Sequence, residues 1–164
     1  MAIKMSPKLQ EVVTKLGIKQ ENILYINVLR PFFERILSEE KKVEFRDLSE
    51  WWLKKINNYD KKTLAFIKPK PIKYILFQNG MSNAEAPRLL IELVNPVQKW
   101  AKDGKGNPAE VINNNLPNET RKMTISEGKS KYPRIFEEAE CEGFKKDDEW
   151  LAFELGKIVY QEHV

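Results

Sequence analysis

One cysteine, Cys141, and one histidine, His163, are all that 164 residues offer of the two side chains most used in metal binding and nucleophilic catalysis. Cys141 can form no internal disulfide. The pair also falls short of the four Cys or His ligands of a structural zinc site and the roughly three of a catalytic one. A Ser-His-Asp or Cys-His arrangement would have to rest on His163, beside the last residue. No metal and no cofactor are expected. No apolar run approaches the roughly 18 to 20 residues of a membrane-spanning helix. The opening "MAIKMSPKLQ" lacks the apolar core and small-residue cleavage site of a secretory signal. A cytoplasmic location without a membrane partner is therefore expected. Phosphate-loop chemistry is missing too: "EGKS" at 127–130 ends in GKS, but Met123 stands where the first glycine belongs, and there is no dinucleotide fingerprint.

What is present is charge. A hydrophobic content of 41% and a charged content of 32% describe a soluble globular chain of single-domain size with a heavily charged surface. The net charge of +4 is unevenly spread: residues 1–82 carry 16 Lys/Arg against 9 Asp/Glu, whereas residues 83–164 carry 12 against 15. The basic half concentrates Lys54, Lys55, Lys61, Lys62, Lys68, Lys70 and Lys73 in a stretch that also holds Trp51, Trp52, Tyr59, Phe66 and Tyr74. Cations serve phosphates and flat rings serve bases, so this interleaving suits a nucleic-acid surface. The same composition also suits a lysine-rich solvated face with inward-pointing rings.

Local signals divide the chain into helices and strands. Ser6 and Pro7 read as N-cap and first residue of a helix in which Leu9, Val12, Val13 and Leu16 recur at helical spacing before Gly17. "ILYINV" at 23–28 reads as a buried strand, and Pro31 opens a helix carrying Phe32, Phe33, Ile36 and Leu37. From Val43 to Arg46 the pattern alternates, which turns Val43 and Phe45 to the core and sets Glu44 and Arg46 side by side on the other face. Asp47 or Ser49 can cap the next helix, with Glu50, Trp51 and Trp52 in its first turn, and "NNYD" ends it. "KPKP" at 68–71 breaks structure before the strand "IKYILF" at 72–77; "QNGMSNAEAP" is a loop and "RLLIELV" at 88–94 a strand. Few apolar positions and many Gly, Asn and Lys residues from Lys99 to about Lys131 suggest a long surface insertion. "YPRIFEEAE" suggests a short helix, and "EWLAFELGKIVY" a closing strand that Gly156 bends or bulges. Five or six strands with two or three helices at irregular spacing give an α+β domain around a small sheet or barrel.

A helix ending in "ILSEE", then "KKVEFR", then a tryptophan five residues after the arginine resembles the start of an ASCH domain, a member of the PUA-like superfamily. That family's usual core is a glycine or acid, Lys, one or two variable residues, then Glu-x-Arg; Lys41, Glu44 and Arg46 fill these positions. "ILFQNG" with Asn79 and Gly80, "APRLLIEL" with Pro87 and Glu92, and "FELGKIV" with Phe153, Leu155 and Gly156 are similar to its later strands. The match covers residues 23–98 and 148–160. Residues 1–20 then become an N-terminal helical extension, and 21–164 an ASCH-like domain with a surface insertion at about 99–147. The resemblance implies a small mixed β-barrel with flanking helices and a cleft lined by the Lys-x-x-Glu-x-Arg motif. It also implies a role in binding RNA or another nucleic acid. Some similar proteins are hydrolases of N4-acylcytidine that use a lysine, a threonine and a glutamate. Their lysine corresponds to Lys41, their threonine position is held by Glu44, and Glu92 is the candidate glutamate.

The expected ligand site therefore comprises Lys41, Lys42, Glu44, Arg46, Trp51, Trp52, Lys54, Lys55, Asn79 and Gly80. Glu44 would accept from a base amino group while Arg46 forks onto a carbonyl or phosphate. Trp51 and Trp52, about 100° apart on a helix, divide between core and cleft rim. The leading expectation is a module for RNA or single-stranded nucleic acid. The alternatives are a hydrolase of a modified nucleoside or of RNA, with Lys41, Glu44 and Glu92 catalytic, and a protein-interaction module whose acidic second half docks a basic partner.

Overall fold

The computed structural model of the chain describes residues 5–80, 85–101, 110–116, 119–123, 125–143 and 149–164. In order its elements are α1 (Pro7–Lys15), β1 (Ile23–Val28), α2 (Arg30–Leu37), β2 (Val43–Asp47), α3 (Glu50–Ile56), β3 (Asn57–Tyr59), β4 (Phe66–Pro69), β5 (Tyr74–Asn79), β6 (Arg88–Leu93), β7 (Gln98–Ala101), β8 (Glu110–Leu116), β9 (Glu119–Met123), α4 (Ile125–Lys131), α5 (Pro133–Cys141) and β10 (Trp150–Glu162). The chain is α+β. It divides into two compact units interleaved along the sequence: Met1–Lys41, Pro71–Val94 and Leu155–Val164 form the first, and Lys42–Lys70 with Asn95–Glu154 the second.

In the first unit the Ser6 hydroxyl caps α1 by accepting from the Leu9 N–H at 3.1 Å, so the sequence signal for this helix start is realised. Strand β1 pairs in parallel with β5, β5 antiparallel with β6, and β6 antiparallel with the last part of β10. Opposed residues share a face. Leu76 lies opposite Leu90, and both pack with Leu9, Val13, Ile18 and Ile23 beneath α1. Ile75 opposite Ile91 and Phe77 opposite Leu89 fill the other face, all of them 0 to 1% exposed. Helix α2 packs against β5 and buries Phe33 and Ile36, while Phe32 remains partly exposed. The register of β10 against β6 slips between Leu155 and Ile158, as the glycine at 156 foretold. A Cβ at Gly156 would stand 2.8 Å from Val94 Cγ2 and 3.3 Å from the Glu92 carbonyl.

The second unit is built on antiparallel pairs: β2 with the first part of β10, β10 with β7, β7 with β8, and β8 with β9. Val43 and Phe45 enter its core together with Trp100, Trp150, Ala152, Tyr132, Ile135 and Ala139. Phe45 and Trp150 meet edge to face with centroids 5.3 Å apart, and Trp100 and Phe136 do so at 4.4 Å. One carboxylate oxygen of Glu138 on α5 accepts from the N–H groups of Lys42 at 2.9 Å and Val43 at 3.0 Å, which ties α5 to the start of β2. Helix α3 is capped by Ser49, whose hydroxyl accepts from Trp52 N–H at 3.4 Å, and it runs directly into the β3–β4 hairpin.

Three features differ from the sequence expectation. Helix α1, expected as an extension, supplies Leu9 and Val13 to the core of the first unit. The stretch from 99 onward contributes strands β7, β8 and β9, and Trp100, Tyr132, Ile135 and Ala139 from it enter the core of the second unit. The residues after α3, expected to end the helix and break structure, form the β3–β4 hairpin. Residues 81–84 of the expected loop and 102–109, 117–118, 124 and 144–148 of the expected insertion lie outside the described residues.

Candidate nucleic-acid interface

The alternation of β2 fixes the site. With Val43 and Phe45 committed to the core, Glu44 and Arg46 project from the opposite face, where Phe153 and Leu151 of β10 are their cross-strand partners. Both partners are fully buried, so the two charges leave an apolar floor rather than open water. Their side chains lean together: Arg46 Nε lies 3.2 Å from Glu44 Oε1, with Glu44 only 8% exposed at its side chain and Arg46 26%. Beyond Leu151 in the same register row stands Lys99 of β7, half-buried and two strands from Arg46, hence roughly 10 Å away.

Helix α3 lays its aromatic side over this face. The Arg46 guanidinium sits 5.0 Å from the Trp52 ring centroid, and the Lys55 ammonium lies 5.0 Å from the same ring and 5.1 Å from that of Trp51. Trp52 also meets Phe153 at 6.4 Å, so it is the tryptophan packed inward, while Trp51 is 67% exposed. Lys55 is held below the ordinary lysine pKa by partial burial first, then by the cations Arg46 and Lys70. Two cations, Arg46 and Lys55, thus share one indole, and the charge of Lys70 acts on Lys55 beside it. Such a cluster is electrostatically relieved by an incoming anion, and its ring planes match a flat ligand.

Of the residues expected at the site, Glu44, Arg46, Trp51, Trp52 and Lys55 are brought together, with the exposed Lys54 on the same helix. Lys42 belongs to the same unit but donates its backbone N–H to Glu138. Lys41, 3% exposed, ends the first unit, with its N–H donating to the Arg35 carbonyl at 2.9 Å. Asn79 and Gly80 also lie in the first unit. There the Asn79 amide donates to the Val28 carbonyl at 3.1 Å, and Gly80, at φ +88°, accepts through its carbonyl from Asn27 at 2.6 Å and Gln78 at 3.1 Å. Glu92 is an exposed residue of β6 in that unit. Sequence reasoning missed Lys99 and the action of Lys70 on Lys55; the position of Lys99 between Gln98 and Trp100, which turn inward on the other face of β7, was the available signal for the former.

The second unit also holds a groove of about 660 Å³ lined by Asn95, Lys131, Tyr132, Arg134, Glu137 and Glu154, none of them singled out by the sequence. Asn95 donates to Glu154 there. Among the described residues no group of three or more His, Cys, Asp or Glu side chains is placed to hold a metal ion, and no helix is long and apolar enough to cross a membrane. No family model matches the chain, and neither a curated protein nor a solved structure matches it.

Proposed function

We propose that this protein is a nucleic-acid-binding module of ASCH type on a PUA-like barrel, acting on RNA or another single strand through the face formed by Glu44, Arg46, Trp52 and Lys55. The observation that carries the reading is the stacking of Arg46 and Lys55 on one indole above the buried Phe153. Phosphates answer the cations, and an unpaired base answers the exposed ring of Trp51 beside them. Glu44, ion-paired with Arg46, orients the guanidinium and supplies an acceptor for a base amino group. Lys54, Lys70 and Lys99 extend the positive field on the approach.

The test is binding of mixed-sequence RNA oligonucleotides across a salt titration. If Arg46, Lys54, Lys55 and Lys70 each neutralise one phosphate, the logarithm of affinity falls against the logarithm of salt with a slope of about −3. Trp51→Ala, which removes an exposed ring, lowers affinity by the ~1 to 3 kcal/mol of one stacked base. A salt-insensitive or absent interaction rejects the reading. Turnover of N4-acylcytidine by the same samples, lost in Lys41→Ala, would replace it with the hydrolase alternative.

A further inference from the structure

We propose that the β3–β4 hairpin is a wedge that seats its apolar edge against unpaired bases of the bound strand, an inference that rests on the binding role above. Leu64 is 71% exposed, Ile67 53% and Phe66 47%, three large apolar side chains within four residues of one hairpin. The turn that presents them is firmly built. Asp60 N–H donates to the Ala65 carbonyl at 2.8 Å, Leu64 N–H to the Asp60 carbonyl at 2.9 Å, and the Asp60 carboxylate accepts from the N–H groups of Lys62 at 2.9 Å and Thr63 at 2.8 Å. These exposed side chains therefore project from an ordered scaffold.

Leu64 adds a second observation. Its φ is +61°, a left-handed conformation that glycine or asparagine adopts at far lower cost than leucine. A leucine at this position gains neither burial nor backbone relief, so its use lies in what it meets outside the chain. Phe66 is backed by Tyr59, its cross-strand partner, with ring centroids 6.1 Å apart, which fixes the direction of the exposed ring.

Charge selects the occupant. Lys61, Lys62 and Lys68 flank the apolar residues and are exposed, and Asp60, the one acid between residues 57 and 70, is committed to the turn amides. A polyanion with apolar faces between its charges matches this edge. In a duplex the base faces are stacked inside, so Leu64, Phe66 and Ile67 can engage only bases that are unpaired or pried apart. The hairpin therefore restricts the ligand of the Arg46 face to a single or locally opened strand.

The test compares the full chain with a Leu64→Gly, Phe66→Ser, Ile67→Ser variant. Exposure of all three side chains keeps the fold out of question, and far-ultraviolet circular dichroism verifies it. The probes are a single-stranded oligonucleotide carrying 2-aminopurine, the same sequence as a duplex, and phosphatidylserine vesicles. The expected result is a rise in 2-aminopurine emission on binding of the wild-type chain, weaker duplex binding, and about tenfold lower affinity with no emission rise for the triple variant. Arg46→Ala weakens binding but keeps the emission rise at saturating protein. If the triple variant binds and unstacks like the wild type, the wedge is rejected and the binding role stands. If the wild type binds no nucleic acid, the binding role itself falls. Hairpin-dependent binding to vesicles without any 2-aminopurine response overturns the wedge in favour of a lipid surface.

Discussion

Ser6 and Glu162, 156 positions apart, are joined by a 2.6 Å hydrogen bond from the serine hydroxyl to Glu162 Oε2. The same hydroxyl caps α1, and the same carboxylate faces Arg88, whose Nη1 lies 3.5 Å from Oε1 and whose side chain is 0% exposed. Arg88 Nε donates to Gln78 at 2.9 Å. The first helix and the final strand of the first unit are thus fastened by one buried carboxylate. Removing one member of a buried ion pair strands the other charge, at a cost of ~3 to 5 kcal/mol. Glu162→Ala is therefore expected to destabilise the chain on that scale in urea unfolding, and Glu162→Gln, which keeps hydrogen bonding, by less. Equal midpoints for wild type and Glu162→Ala would falsify this assignment.

Tyr160 reports on the same cluster. Its hydroxyl donates to Glu162 Oε2 at 3.2 Å, and desolvation first, then the Glu162 charge, pushes its pKa above the ordinary phenol value of 10.0. A group that holds its proton more tightly when folded contributes stability that is complete below the unfolded pKa and lost as pH rises through the folded one. Tyr160→Phe should therefore flatten the fall in stability above about pH 10. Unfolding midpoints of the two proteins measured from pH 8 to 11 check this, and parallel curves would refute it.

Lys55 gives the opposite sign. Partial burial, Arg46 and Lys70 hold its pKa below 10.5, so the folded state sheds this proton more readily than the unfolded chain and gains stability relative to it as pH climbs toward 10.5. A bound phosphate restores the charge. Affinity for an anionic strand is then expected to fall as pH rises through the Lys55 pKa of the free protein, while Lys55→Arg, which stays charged, holds its affinity over the same range. Anisotropy titrations in steps from pH 7 to 10.5 separate the two, and identical profiles would remove Lys55 from the site.

Gly128, the glycine of "EGKS", is a packing residue. A Cβ there would clash with Cη2 of the Trp100 ring, itself fully buried, edge to face with Phe136 and tilted by 31° against Trp150. Gly128→Ala is expected to destabilise by ~1 to 3 kcal/mol through overpacking and to blue- or red-shift the tryptophan emission as the ring is displaced. An unchanged melting temperature and spectrum would show that α4 gives way freely.

Much of the fold was legible in local signals. The Ser6-Pro7 start, the β2 alternation, the Ser49 cap and the Gly156 slip each depend on a few neighbouring residues, and each is realised. The strands between 98 and 123 were not legible, because their polar character hides a period that matters only once Trp100 has a core to enter. The β3–β4 hairpin was missed for a related reason: its exposed Phe66 and Ile67 carry no burial pattern, and Pro69 and Pro71 read as breakers. Of the candidate site, the neighbourhood of Glu44 and Arg46 followed from strand geometry alone. The choice between the tryptophans did not, since it depends on Phe153, which lies about a hundred residues downstream.

By itself the sequence determined that Leu9, Val13, Val43 and Phe45 face inward, where α1 starts, and that basic and aromatic side chains crowd residues 51–74, because capping and side-chain periodicity are properties of adjacent backbone. Only the tertiary structure decided that Arg46 and Lys55 share the Trp52 ring, that Lys99 stands in their register row, and that Arg88 and Glu162 meet inside the first unit. The last two arise from strand pairing between distant segments, whose register is set by mutual burial rather than by any local preference, and the first from side-chain contacts between α3 and β2.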